Sequence, residues 1–243
     1  MGEKIIIIGC PGAGKSTFAR ALRDLTGLPL YYLDRIYHRA DRTTIPRDEF
    51  DEKLGEILRQ ERFIIDGNYN RTMEMRLAAC DTVFLMDYPT EVCLAGARER
   101  VGKLREDMPW TEETLDPEFG AWIESFAREQ IPKIYERIEK YREGKEIYIF
   151  KSREEAQAYL DERRHSAAYS ANQQWCLDMA AAEQQVNNAD AVQLHALLLQ
   201  AQAWLEDIET NEADTSDPFV DWEDRRCAVE ALIDTLETRL DEI

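Results

Sequence analysis

Short apolar runs alternate with amphipathic stretches over the first 163 residues of the chain. Five runs have the length of β-strands, and they lie at residues 4–8, 29–33, 63–65, 82–86 and 146–150. Helical periodicity begins at Ser16 and recurs over residues 47–60, 91–105 and 117–142. Apolar strands that alternate with helices are typical of parallel sheets buried on both faces. The pattern therefore predicts an α/β unit in which helices cover both faces of a parallel five-stranded sheet.

The pattern changes after Arg163. Residues 168–186, 190–209 and 222–243 have the periodicity of amphipathic helices, and the last stretch repeats its apolar residues at near-heptad spacing. We predict two domains, an α/β domain at residues 1–163 and a small all-α domain of three helices at residues 164–243. Apolar stripes of this kind form a core or a contact with a protein partner or a second copy.

Charge is concentrated in the second part. The chain has a net charge of −19, and residues 164–243 contain 4 Lys/Arg against 17 Asp/Glu. Such an acidic balance argues against direct binding to nucleic acid or to an anionic membrane. The five cysteines and three histidines do not have the spacing of metal ligands. Scattered cysteines of this kind are typical of reduced thiols. With no leader and no apolar run of membrane length, we expect a cytoplasmic protein.

The residues between the first strand and the first helix carry a phosphate-binding pattern. Residues 9–16 fit G-x-x-x-x-G-K-[ST] at every fixed position. Glycines let the backbone N–H groups turn towards phosphates, the lysine adds charge at the outer phosphates, and the serine hydroxyl is a ligand for Mg²⁺. The next helix directs the positive end of its dipole at the same point. We predict a site for ATP and Mg²⁺ built by Gly9, Gly12, Ala13, Gly14, Lys15, Ser16 and Thr17.

Aspartates follow three of the predicted strands, at Asp34, Asp66 and Asp87. Ligands of parallel α/β sheets bind beyond the carboxyl ends of the strands, on the side of the phosphate loop. Asp66 is predicted to support Mg²⁺ together with Ser16; the alternative is an aspartate that caps the turn at Gly67. Asp34 is predicted to receive an acceptor hydroxyl as a catalytic residue; the alternative is a cap at the strand end.

Cations follow these carboxylates along the chain. Arg71 is a candidate for phosphate binding, with a solvated helix charge as the alternative. Arg98 and Arg105 are seven residues apart on one predicted helix face, so we predict that these two are catalytic and close over the transferring phosphoryl group while Arg100 stays solvated. The alternative is a set of surface salt bridges with Glu99 and Glu106.

These motifs together resemble a known family. Residues 8–17, 32–34 and 64–72, with Phe119, Trp122 and Ile123, make residues 1–163 similar to adenylate-kinase-like P-loop proteins. More narrowly, the Asp66–Tyr69 stretch resembles the bacterial DNA topology modulation proteins. The resemblance implies the fold of nucleoside monophosphate kinases, ATP with Mg²⁺, and a lid over the phosphates. Residues 66–71 are one residue longer than the adenylate kinase run, so AMP is not implied as acceptor.

Two classes of function follow from these residues. The leading hypothesis is a small-molecule kinase that transfers the γ-phosphoryl group of ATP to a nucleotide, nucleoside or sugar-like acceptor. The alternative is a nucleotide-dependent regulator, or a weak ATPase, that acts on a partner through its acidic C-terminal helices. A kinase needs a second pocket near Asp34, whereas a regulator needs only the ATP site and an exposed helical face.

Overall fold

The computed structural model describes residues 2–186, 189–211 and 222–242. Contacts divide the chain into two compact units, one ending at Leu160 and one beginning at Asp161. The boundary predicted at residue 163 lies three residues after this division. The sequence also predicts a break with an N-cap at residues 187–190 and an acidic linker at residues 211–218; of these, residues 187–188 and 212–218 fall outside the described residues, as does Ile243.

The first unit is built on a parallel five-stranded sheet. Its strands are β1 (Lys4–Gly9), β2 (Leu30–Tyr32), β3 (Phe63–Asp66), β4 (Thr82–Met86) and β5 (Glu146–Phe150), in the order β2-β3-β1-β4-β5. All four pairings are parallel. The side chains of residues 5–8 in the central strand are fully buried, which requires cover on both faces. The predicted α/β fold with a phosphate loop after β1 is confirmed.

Seven helices precede β5 or connect the strands within the described residues. They are α1 (Lys15–Thr26), α2 (Leu33–Tyr37), α3 (Arg47–Leu58), α4 (Met73–Ala79), α5 (Thr90–Arg98), α6 (Pro117–Glu129) and α7 (Ile131–Lys140), with a 3-10 turn at Asn70–Thr72. The stretch predicted as one helix at 117–142 is two helices that part at Gln130, because Pro132 has no N–H to continue the first. Asp34 lies in the first turn of α2, not at the end of a strand.

The helix predicted at 91–105 is too long. Helix α5 ends at Arg98, and the chain then turns through Gly102, whose φ is +76°. The Gly102 N–H donates to the Glu112 carbonyl at 2.8 Å, which holds the turn. Arg105 therefore lies in a loop, and the prediction that Arg98 and Arg105 share a helix face is wrong.

The phosphate loop packs backbone to backbone against α5. A Cβ placed on Gly12, whose φ is +83°, would lie 1.9 Å from the Cys93 carbonyl oxygen, and a Cβ on Gly96 would lie 2.2 Å from the Gly12 oxygen. Both positions therefore need glycine for space, and Gly12 also needs it for its left-handed backbone. This contact fixes the height of the loop above the sheet.

We expect Gly12→Ala to destabilise the protein by about 3 kcal/mol, because the strained φ and the clash with the Cys93 carbonyl add together. Gly14→Ala is the control, since Gly14 has a φ of +96° but no atom within 4 Å of an added Cβ. That control should cost only about 1 kcal/mol. Urea denaturation of both variants measures the difference, and equal losses would contradict the packing argument.

The second unit is helical. Helix α8 (Arg153–Val186) begins in the first unit, and α9 (Ala191–Asn211) and α10 (Trp222–Asp241) follow it. The buried apolar side chains of this unit are Met179, Ala182, Val186, Leu194, Leu197, Ala201, Ile208, Val229, Leu232 and Leu236. The predicted apolar stripes thus form a core. Among the described residues, no helix combines the length and apolarity that a bilayer crossing requires.

Candidate nucleotide and acceptor site

The phosphate loop bends from β1 into α1 with its backbone amides near the helix start. Gly14 caps α1 in a left-handed conformation, and no side chain caps the first turn. The N–H groups of that turn are therefore available to an anion. The buried Lys15 ammonium donates to the Cys10 carbonyl at 3.0 Å, inside its own loop. Burial lowers the pKa of Lys15, and the Asp66 carboxylate opposes this shift.

A cavity of about 620 Å³ opens beside the loop. Its lining includes five of the predicted nucleotide-binding residues, Gly12, Ala13, Gly14, Ser16 and Thr17. Tyr88 and Arg153 contribute to the same wall, together with a run of residues that follows α5. The cavity thus lies at the start of α1, where the loop amides can meet phosphates.

A hydroxyl and two carboxylates meet at the loop. The Ser16 hydroxyl lies 2.5 Å from Asp66 Oδ2 and 3.1 Å from Asp107 Oδ2, and both aspartates are buried. A hydroxyl has one proton, so Ser16 can donate to only one carboxylate at a time. The sequence analysis missed Asp107, because an aspartate in an irregular loop carries no periodic signal.

These oxygens fit a magnesium ion. The second oxygen of Asp66, Oδ1, is buried and has no hydrogen-bond partner among the described residues. Burial raises the pKa of Asp66 to about 6, although the Lys15 ammonium and the Ser16 hydroxyl act to lower it. Carboxylate and hydroxyl oxygens are ligands that Mg²⁺ prefers, and a cation would offset the cost of burying this charge. Ser16, Asp66 and Asp107 are therefore the residues that could hold it. Within the residues that the structure describes, no group of three or more His, Cys, Asp or Glu forms a metal site.

One loop connects the nucleotide side to Asp34. The Asn68 amide accepts from the Gly9 N–H at 2.9 Å and donates to the Gly9 carbonyl at 2.6 Å. The next residue, Tyr69, has a φ of +30° and donates its hydroxyl proton to Asp34 Oδ1 at 2.9 Å. Burial, with the Asp34 charge, raises the pKa of Tyr69, so its phenol stays a donor. Gly9 and Asp34 are thus held by neighbouring residues of the loop after β3.

A buried arginine holds that loop in place. Arg76 of α4 is fully buried, and its guanidinium donates to the carbonyls of Gly67, Asn68 and Tyr69. The sequence analysis missed it because arginine on a helix normally marks the solvent face. A signal was available: Met73, Arg76 and Leu77 are buried together at helical spacing.

We expect Arg76→Met to lower the free energy of unfolding by about 3 kcal/mol, because three carbonyls lose their donor in a buried place. Urea denaturation measures the loss. Arg128→Met is the control, since the Arg128 side chain is 81% exposed, and it should change stability by less than about 0.5 kcal/mol. Equal stability of the two variants would contradict the role given to Arg76.

The predicted cations separate in the structure. Arg98 is exposed and does not line the cavity, whereas Arg100 is half-buried and lines it. The prediction that Arg100 stays solvated is therefore wrong. Burial and the nearby Arg105 charge lower the pKa of Arg100. Arg105 also lines the cavity but is ion-paired with Asp107 and Glu112.

Two other predicted positions have partners away from the loop. Arg71 makes two hydrogen bonds of 2.6 Å with the Asp51 carboxylate, at the surface. Asp87 accepts from the Tyr135 hydroxyl at 2.9 Å and from the Lys151 ammonium. Neither side chain takes part in the cluster around Ser16.

Comparisons with known proteins give partial matches. No family model matches the chain. An adenylate kinase of Thermotoga petrophila is 32% identical over 94 residues, which are 37% of this chain and 42% of that protein. An adenylate kinase of Thermosipho melanesiensis is 28% identical over 102 residues, 41% of this chain and 46% of that protein. The chain therefore spans less than half the length of these relatives.

Solved kinase structures are similar at lower identity. A shikimate kinase from Acinetobacter baumannii in complex with shikimate has a TM-score of 0.45 and 18% identity, covering 67% of this chain and 90% of that chain. A gluconokinase from Sinorhizobium meliloti 1021 has a TM-score of 0.40 and 14% identity, covering 72% and 97%. The fold assignment stands on the strand order and on the phosphate loop of the chain itself.

Proposed function

We propose that the chain is a small-molecule kinase that transfers the γ-phosphoryl group of ATP to an acceptor hydroxyl, with Mg²⁺. The observation that carries the proposal is the loop after β3. In this loop Asn68 is hydrogen-bonded to Gly9 of the phosphate loop, and the next residue, Tyr69, is hydrogen-bonded to Asp34. A reaction between two bound substrates needs a carboxylate for the acceptor at a fixed position relative to the phosphate site, and this loop positions Asp34 in that way. The adenylate kinase relatives support the same class.

The proposed roles follow the geometry. The loop amides and Lys15 bind the phosphates, and Ser16, Asp66 and Asp107 would hold Mg²⁺, which neutralises phosphate charge when bound. The acceptor oxygen forms a bond to the γ-phosphorus while the bond to the bridging oxygen of ADP breaks. The acceptor proton passes to Asp34, and Tyr69 fixes the orientation of that carboxylate. The cavity-lining Arg100 supplies a further positive charge.

The remaining parts of the proposal concern the class of reaction, the location of the protein and the helical unit. The matching relatives are named adenylate kinases, which favours a transferase over the regulator or weak ATPase that would act through the C-terminal helices. Four further statements are proposals. The chain has a narrower resemblance to DNA topology modulation proteins, and it is located in the cytoplasm. The helical unit folds separately, and it contacts a protein partner or a second copy. Phosphate binding by Arg71 and catalysis by Arg98 stay predictions of the sequence analysis; the proposal here gives the charge at the cavity to Arg100 in place of Arg98.

The test of the proposed function is transfer from ATP labelled at its γ-phosphate, with Mg²⁺, to pooled nucleosides, nucleotides and sugars. A labelled product that needs the acceptor pool supports a kinase. Tight ATP binding without any labelled product in any pool would favour the regulator instead.

We expect Asp34→Asn to lower kcat by about 10²-fold, because the amide cannot take the acceptor proton. The affinity for ATP, measured by calorimetry, should stay the same, since Asp34 lies on the acceptor side. Asp87→Asn is a matched control, because Asp87 also follows a strand but bonds to Tyr135 and Lys151. A kcat that survives the loss of Asp34 would exclude it as the base.

A further inference from the structure

We infer that the acceptor is an uncharged ring compound with a hydroxyl group, a nucleoside or an unphosphorylated sugar, and not a phosphate ester or a carboxylic acid. The inference rests on the proposed kinase activity and names the substrate class of the same site. It follows from the oxygen partners that the cations near Asp34 already have, from the negative charge of Asp34 itself, and from the aromatic side chains on the elements around it.

Five of the arginines on the elements that border Asp34 already have oxygen partners. Arg35 donates to the Glu106 carbonyl at 3.0 Å, Arg39 pairs with Glu49 at 4.0 Å, Arg71 pairs with Asp51, Arg76 with three carbonyls, and Arg105 with Asp107 and Glu112. Binding an anion with any of them requires an existing pair to break. An anionic acceptor would therefore lose binding energy that a neutral one keeps.

The cations on the nucleotide side are engaged differently. The side chains of Arg100 and Lys103 line the cavity and make no hydrogen bond or ion pair with any residue that the structure describes. These charges are available to the phosphates of ATP. Cations without partners thus lie on the nucleotide side, and cations with partners lie near Asp34. This difference indicates that phosphate groups bind on the nucleotide side only.

The Asp34 carboxylate adds to this difference. Tyr32 of β2 pairs in register with Asp66 of β3, so Asp34, two residues further, lies at the same edge of the sheet as the Ser16 cluster. Asp34 thus gives the acceptor side a negative field, whereas Asp66 and Asp107 contact Ser16 on the nucleotide side, where they would hold Mg²⁺. Like charges that meet across an interface cost binding energy, so this field disfavours an acceptor with its own phosphate or carboxylate.

Aromatic rings lie on the elements around Asp34. Tyr69 stacks on Phe50 with ring centres 5.1 Å apart, and Tyr37 meets Tyr69 edge-on at 5.4 Å. His38, beside Tyr37, meets Trp110 at 5.1 Å. Rings of this kind pack against the flat face of a base or the C–H face of a sugar, whereas the Asp34 carboxylate accepts from a hydroxyl.

The test is competition between matched acceptors in one reaction. A nucleoside is offered with its 5′-monophosphate, and glucose with glucose 6-phosphate and gluconate, under saturating labelled ATP and Mg²⁺. We expect the neutral member of one set to be phosphorylated with kcat/KM at least about 10²-fold above its charged partners. The set that reacts distinguishes a nucleoside from a sugar.

Three other outcomes overturn the inference, and they differ in whether they also contradict the proposed kinase activity. Preferred transfer to the monophosphate, the sugar phosphate or the acid overturns the neutral class but keeps the kinase. No transfer to any member, with ATP still bound, overturns the kinase and the inference together. Ionic strength gives an independent readout: for a neutral acceptor, kcat/KM at saturating ATP should change less than about twofold between about 50 and about 300 mM salt. A steep fall with salt would show that the acceptor is held by its charge.

Discussion

Replacing Lys15 with alanine should lower phosphoryl transfer by about 10³-fold, because the variant removes the one ammonium that the phosphate loop itself carries. The Lys15 side chain is 8% exposed, and among the described residues it donates only to the Cys10 carbonyl, so it is held inside the loop before any phosphate arrives. Its charge also lowers the pKa of Asp66. We therefore expect its loss to weaken both phosphate binding and the ionised state of Asp66, the proposed magnesium ligand.

The measurement is the initial rate of labelled transfer, with ATP affinity determined separately by calorimetry. Lys53→Ala is the matched control, because the Lys53 side chain is 49% exposed and pairs with Glu49, on its own helix. We expect that control to keep at least about half of the activity. Circular dichroism checks that both variants are folded. Transfer within tenfold of the parent in the Lys15 variant would rule out the proposed role of the phosphate loop.

Replacing Arg100 with glutamine should lower kcat by about 10³-fold, whereas Arg98→Gln should change it by less than about threefold. The two arginines are two residues apart, but Arg100 lines the cavity and Arg98 is exposed. Burial and the nearby Arg105 charge lower the pKa of Arg100, and no carboxylate of the described residues forms an ion pair with its guanidinium. An anion in the cavity would complete such a pair, and a charge that forms during transfer would gain most from it.

Steady-state kinetics on both variants give kcat and KM for ATP. A loss confined to KM would mean that Arg100 binds ground-state phosphate without favouring transfer. A larger loss for Arg98→Gln than for Arg100→Gln would restore the assignment that the sequence spacing favours. Thermal unfolding of the two variants excludes a difference in stability as the cause.

The strands and their burial in a parallel sheet could be predicted because each central strand is a nearly unbroken apolar run. Residues 5–8 are four isoleucines in succession, and only burial on both faces explains such a run. The phosphate loop could be predicted because its glycines, lysine and serine each have a separate physical task. These signals are local, so the sequence displays them directly.

The cations could not be assigned in the same way. Residues 99–101 contain no proline or glycine, so helical spacing extends through them, but α5 ends at Arg98 and the turn is held by the Glu112 carbonyl. Because Glu112 is distant in sequence, the end of α5 could not be seen from residue spacing. The spacing therefore assigned the catalytic role to Arg98 in place of Arg100. Asp107 and Arg76 were missed for related reasons, since a buried charge is recognisable only once its partners are known.

The two hydrogen bonds between Asn68 and Gly9 have a consequence for how the binding of one substrate affects the binding of the other. They join the turn that cradles phosphate and the turn that holds Tyr69 against Asp34, so a shift of one is felt by the other. Thermodynamic linkage then makes the effect mutual: whatever factor an acceptor adds to the affinity for ATP, ATP adds to the affinity for that acceptor. A single amide side chain would set how strongly the two ligands cooperate.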